Sequence, residues 1–177
     1  MTSLHAQSDR PLALSRTVLR LLVKLNILFG VFIFGLLIST LIAGGPVMKA
    51  LGLIPTSDSG RLMFGMRGIM VIGILAAPVV HLIYTRLLEI VETVNSGDPF
   101  VGENAARLQT IAWAIVGLEI MHVGVVVLAN GISVQGQQVD IGDKFSVTPW
   151  LTILLLFVLA RVFDQGTRMR EELAATV

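Results

Sequence analysis

No cysteine occurs among the 177 residues, which excludes a disulfide framework, a thiolate metal site and a cysteine nucleophile. Charge is also scarce: Asp, Glu, Lys and Arg make up 14% of the chain against 54% hydrophobic residues, too little to cover the surface of a soluble domain. No GxSxG elbow, P-loop, HExxH or paired-carboxylate motif is present, so no catalytic reaction is expected. No repeat relates the spans of the two halves, which removes support for an inverted-repeat transporter. The basic clusters lack the density for nucleic acid, because Arg168 and Arg170 stand beside Glu171 and Glu172, which cancel their field.

What the chain has in quantity is long apolar sequence, with a mean hydropathy of +0.82. A bilayer offers the backbone no hydrogen-bond partners, so a spanning chain must form helices or a closed barrel, and continuous apolar runs select helices. The reading is an all-α membrane protein with four transmembrane helices in one domain, placed at residues 25–43, 62–84, 111–128 and 147–163. The first run, Leu25 to Ala43, holds 19 uncharged residues, close to the ~20 that a span needs. It is longer than the roughly 7 to 15 residues of a signal-peptide core and lacks an Ala-x-Ala site, so retention is expected. Residues 1–17 read as a short polar tail in which Pro11 breaks any early helix. Residues 44–60 read as a Gly/Pro loop with a short interfacial turn at Val47 to Leu53.

The longest polar interval between apolar segments is NSGDPFVGENAARLQTIAW, Asn95 to Trp113. It belongs to a connector of residues 85–110, whose first part, Thr85 to Val94, extends the second helix until Asn95 and Gly97 stop it. Asp98 is expected to cap the next helix and Pro99 to occupy its first position, where a missing donor costs nothing. That leaves Phe100, Glu103, Asn104 and Arg107 without an account, the last three at spacings that put them on one helical face. They are the candidate cytoplasmic interaction surface. Phe100 has three readings: a side chain dipping into the membrane interface, a plug at the inner end of the helices, or a docking anchor. Residues 129–146 form the last loop, in which ISVQGQQVDIGDKF alternates apolar and polar residues about Gly136, predicting a small β-hairpin with a disordered loop as the competitor.

Orientation follows the basic residues. Arg10, Arg16, Arg20, Lys24, Arg86, Arg107, Arg161, Arg168 and Arg170 fall on one side, and Lys49, Arg61, Arg67 and Lys144 on the other. The bias puts both termini and the connector in the cytoplasm, and the hairpin loop outside. Glycines at 65, 68 and 73 provide small faces where a neighbouring helix, or a second copy of the chain, packs closely.

Ionisable residues within spans are costly and are functional candidates for that reason. Arg67, His81 and Arg161 lie near span ends and read as interfacial anchors. Glu119 lies roughly 12 Å inside the third span and needs a partner or a proton. His122 follows at i+3 on the same face. That Glu-x-x-His spacing occurs in di-iron helix bundles, but the second copy and further glutamates that such sites require are missing, so no metal is expected. A haem would want histidines at similar depth, and His81 and His122 differ by about 13 Å along the span axis, so no cofactor is expected either. The reading is an intramembrane polar cluster of Glu119, His122, Asn26 and Arg161 that fixes helix register. A proton- or ligand-responsive role for Glu119 and His122 is the alternative.

The segments GDPFVGENAARLQTIAW and FSVTPWLTILLLFVLARVFDQGTRMREELAATV resemble a bacterial family of four-span membrane proteins, domain of unknown function twenty-nine seventy-five. The resemblance rests on GDPF at 97–100 with Asn104 and Arg107, and on the ending at 159–177, and extends from about residue 15. Two departures stand out: Gly102, where the family has proline, and Arg161, where it has an acidic residue. The resemblance implies a multi-pass protein of the bacterial inner membrane with the connector inside and no enzymatic reaction. It also implies a partner, a small cytoplasmic helix-turn-helix regulator often encoded beside such proteins. A small carrier or ligand sensor and a structural homo-oligomeric membrane component are the competing functions.

Overall fold

In a computed structural model, residues 2–50, 59–132 and 146–175 are described. Their regular structure is entirely helical: α1 (Thr2–Ile42), α2 (Gly44–Ala50), α3 (Ser59–Asn95), α4 (Gly102–Ile132) and α5 (Thr148–Ala175). Apart from the seven-residue α2, each contains a stretch long and apolar enough to cross a membrane: Ala13–Ile42, Gly60–Asn95, Gly102–Gly131 and Thr148–Leu173. The four expected spans fall one in each. The predicted hairpin lies in residues 133–145, outside the described residues.

The helices exceed what lipid requires. At 1.5 Å per residue, the 37 residues of α3 reach roughly 55 Å, against a hydrocarbon core of about 30 Å. Past the expected span at residues 62–84, α3 runs on for about three further turns, which carry Arg86, Glu89 and Glu92. The tail of α5, residues 164–175, likewise continues the helix as expected.

Two expectations need correction. Pro11 does not break an early helix, since α1 is continuous from Thr2. Proline keeps a helical φ and deletes one donor, which is a local cost that the flanking turns absorb. The cap assigned to Asp98 and Pro99 is also displaced, because α4 begins three residues later, at Gly102. The interfacial turn is present as α2, starting earlier than expected, at Gly44.

The chain divides into two units. The first comprises residues 1–26, 80–116 and 147–177. Among the described residues its buried apolar side chains come from α4 and α5: Ala105, Leu108, Ile111, Ala112, Ala114, Ile153 and Ala160. On α4 they recur three to four residues apart, giving one inward face. On α5, Ile153, Ala160 and Thr167 are buried at intervals of seven, one stripe every two turns. Alanine at several of these positions lets backbones approach closely where apolar burial against lipid supplies little drive.

The second unit comprises residues 27–79 and 117–146. Its helices meet through glycine. A Cβ on Gly73 would lie 3.4 Å from Ile33 on α1, and one on Gly68 would lie 3.0 Å from Leu128 on α4. From the facing helices, Gly30 comes as near to Ala77 and Gly124 to Ile72, with hypothetical Cβ contacts of 3.3 and 3.5 Å. The small faces expected on α3 are therefore used within the chain. Arg67, expected at the headgroups, instead donates to the backbone carbonyl of Thr40, whose side chain is fully buried. It thereby satisfies a carbonyl at the C-terminal end of α1, where the helix dipole favours a cation.

The outward surface is apolar. Along α1 alone, Leu25, Ile27, Leu28, Phe29, Val31 and Phe32 are each about half or more exposed. A surface of that character is stable only against lipid.

Candidate functional site

The connector is built from its hydrogen bonds. At the end of α3, Gly97 takes φ 84°, a left-handed conformation that costs glycine little. Its N–H donates to the Val94 carbonyl at 3.1 Å and that of Asp98 to the Thr93 carbonyl at 3.1 Å, the paired bonds of a Schellman C-cap. The chain then runs without regular structure through Asp98, Pro99, Phe100 and Val101. The side chain of Asn104, fully buried, reaches back to hold it. Its amide donates to the Pro99 carbonyl at 2.9 Å and to Thr93 Oγ1 at 2.7 Å. These bonds, with the Asp98–Arg170 pair, hold residues 98–101 out of the helix, so α4 starts only at Gly102.

Arg107 completes the arrangement. It donates to Asn104 Oδ1 at 2.8 Å and to Glu89 Oε2 at 2.9 Å, and the same carboxylate oxygen accepts from Arg86 at 2.8 Å. The bond from Arg86, opposed by partial burial and joined by the bond from Arg107, holds the Glu89 carboxyl below its ordinary 4.5. One turn on, Glu92 lies 3.9 Å from Arg16 and 3.7 Å from Arg20 of α1. The polar network thus ties α3 to the start of α4 and, through Glu92, to α1.

Phe100 anchors the other side. Its ring lies 5.5 Å from that of Phe163 on α5 and passes over Gly166, where a Cβ would come within 2.9 Å. The ring is still 43% exposed. Asp98 accepts from Arg170, pinning the connector to the α5 tail a second time. Between them lies a cleft of about 520 Å³ lined by Asp98, Phe100, Glu103, Thr167, Arg170 and Glu171.

The four residues picked as an interaction surface therefore divide. Glu103 is exposed in the first turn of α4, where the dipole favours an acid. Phe100 is half out. Asn104 and Arg107 face inward as structural members. Their partners Glu89 and Thr93, and Arg170 as the partner of Asp98, were missed by sequence reasoning. Only the Arg86/Glu89 spacing of i,i+3 carried a signal, since the other pairings join separate segments of the chain.

The intramembrane candidates divide as well. Glu119 and His122 come together in the second unit, with Glu119 Oε1 3.7 Å from His122 Nδ1. The carboxylate is largely buried and the imidazole is 39% exposed. Asn26 and Arg161 belong to the first unit, and Arg161 is exposed. His122 lines an apolar groove of about 340 Å³ together with residues such as Ile33, Ile69, Gly73 and Met121.

With this geometry in hand, comparison with known families gives one result. The model of a family described as Protein of unknown function (DUF2975) matches residues 45–177, which take in α3, the connector, α4 and α5. The chain belongs to that family. All of α1 lies outside the match, which begins later than the resemblance read from the sequence. No curated protein and no solved structure matches this DUF2975 chain. Gly102 now has a place in it. It is the first residue of α4, the position where proline, expected there from the family, is favoured because the N–H is unpaired in any case.

Proposed function

We propose that this protein is a membrane-bound partner that holds a soluble helix-turn-helix regulator at the cytoplasmic face of the bacterial inner membrane. The protein itself carries out no reaction and makes no direct contact with nucleic acid. The observation that carries this reading is the interlocked connector and α5 tail. A segment fixed by Asn104, Phe100 and the Asp98–Arg170 pair presents a preformed cleft outside the hydrocarbon, with an exposed aromatic ring and the carboxylates of Glu103 and Glu171 at its edge. A rigid surface with an aromatic anchor loses little entropy on binding. Nine of the thirteen basic residues lie on this side, which supports a cytoplasmic position.

The test is affinity capture with the tagged full chain in mild detergent. The expected result is recovery of a soluble helix-turn-helix protein, at least about tenfold less with Phe100→Ala combined with Glu103→Lys, since a central aromatic contributes on the order of 2 kcal/mol. Recovery of no soluble regulator, or equal recovery by the variant, overturns the reading.

A second reading, a ligand- or proton-responsive membrane protein, draws on the placement of Glu119 beside His122 at the wall of an apolar groove. A purely structural, homo-oligomeric role through the glycines of α3 is less favoured, because Gly68 and Gly73 already receive helices of the same chain.

A further inference from the structure

The groove in the second unit is apolar along α1, α3 and α4, where Ile33, Leu36, Ile69, Met70, Met121 and Val125 line it. Its volume of about 340 Å³ falls within the ~300–1,000 Å³ range of small-molecule sites. His122 is its one polar side chain. Glu119 stands behind that imidazole, 14% exposed, at 3.7 Å from Nδ1, too far for a hydrogen bond. With Nδ1 turned to the carboxylate, Nε2 is the nitrogen left for a ligand.

From this geometry we propose that the groove binds a lipophilic molecule with a neutral carbonyl head, of the quinone class. Three features select that chemistry. The wall suits an apolar ring and chain, and offers nothing to a sugar or a phosphate. Among the described residues no lysine or arginine lines the groove, so the anionic head of a fatty acid finds no fixed cation there. An imidazole has one nitrogen that donates and one that accepts, so it pairs with a head that accepts, as a quinone carbonyl does, or donates, as the corresponding hydroxyl does. The site supplies recognition only, and no electron transfer is assigned to it. This names the ligand class for the second reading above and is independent of the regulator.

The test uses the full chain in nanodiscs and decylubiquinone as probe, with oleate as competitor. Saturable binding is expected, weakened about tenfold by His122→Leu, the loss of one hydrogen bond, and within a few-fold of wild type for His122→Gln, which keeps a donor. Ala76→Leu, which fills the groove while leaving the imidazole in place, is expected to weaken binding at least as much. All three variants are checked for unchanged helicity and thermal midpoint, and any that fails is replaced by Ile69→Phe as the groove-filling change. Saturable binding of oleate but not of decylubiquinone overturns the quinone class while leaving a ligand-responsive protein standing. Binding that does not saturate, or that none of the variants alters, overturns both.

Discussion

Asn104 shows how a residue named for one reason matters for another. Its position on α4 with Glu103 and Arg107 suggested an outward face, yet the side chain is fully buried and makes three bonds. Sequence spacing fixes which residues share a face of a helix, but not whether that face meets solvent or another segment. Here the segment from Asp98 to Val101 covers it. Replacing Asn104 by Ala leaves the Pro99 carbonyl, Thr93 and Arg107 each short of a partner. The expected loss is about 2 kcal/mol, larger than the roughly 1 kcal/mol for Thr93→Val, which removes the bond from Asn104 and the hydroxyl's own bond to the Ile90 carbonyl within the helix, already paired in the ladder. Thermal unfolding of the purified protein in detergent checks the order of the two.

Glu89 gives a prediction in pH. Its carboxyl is held below the ordinary 4.5 by Arg86 first and then Arg107, so the folded state binds the proton less readily than the unfolded one. The stabilisation is full at any pH above 4.5 and disappears as the pH falls through the lower folded value. The wild-type protein is expected to lose stability in that acid window by more than Glu89→Gln does. Equal slopes for the two proteins in acid unfolding would remove Glu89 from the account.

At the scale of elements, the four spans and the extensions of α3 and α5 were legible because apolar run length and stop signals are local properties. Asn95 and Gly97 end α3 as glycine with a positive φ must. The start of α4 was not legible. Asp98 and Pro99 carry the composition of a cap, but Arg170 takes the Asp98 carboxylate and Asn104 the Pro99 carbonyl, and one of these partners is 72 residues away in sequence. A distant side chain leaves no periodicity to read. The corrected start makes a prediction. Gly102 is the first residue of α4, open on the side where a Cβ would go, and follows a non-helical residue. Gly102→Pro should stabilise by about 0.4 to 1 kcal/mol through the unfolded chain's lost freedom, and raise the thermal midpoint. Were the helix to begin at Pro99, proline at 102 would lie a turn inside and destabilise instead, so the sign of the shift decides between the two starts.

For the molecule as a whole, composition gives the membrane class and the number of helices long enough to cross it. The side on which each connection lies is a proposal from charge bias: nine basic residues against four. The lack of cysteine makes this directly testable, because any introduced thiol is the only one in the protein. Ser96 is exposed just past the end of α3, and its hydroxyl donates to the Thr93 carbonyl. Ser96→Cys in intact cells is expected to resist a membrane-impermeant maleimide and to react once the cells are opened. Gln137→Cys, in the sequence between α4 and α5, is expected to react in intact cells. The reverse pattern would place the connector outside, out of reach of any cytoplasmic regulator, and the proposed function would fall with the orientation. Labelling of both positions in intact cells would mean that α4 does not cross the membrane, and the four-span reading itself would fail.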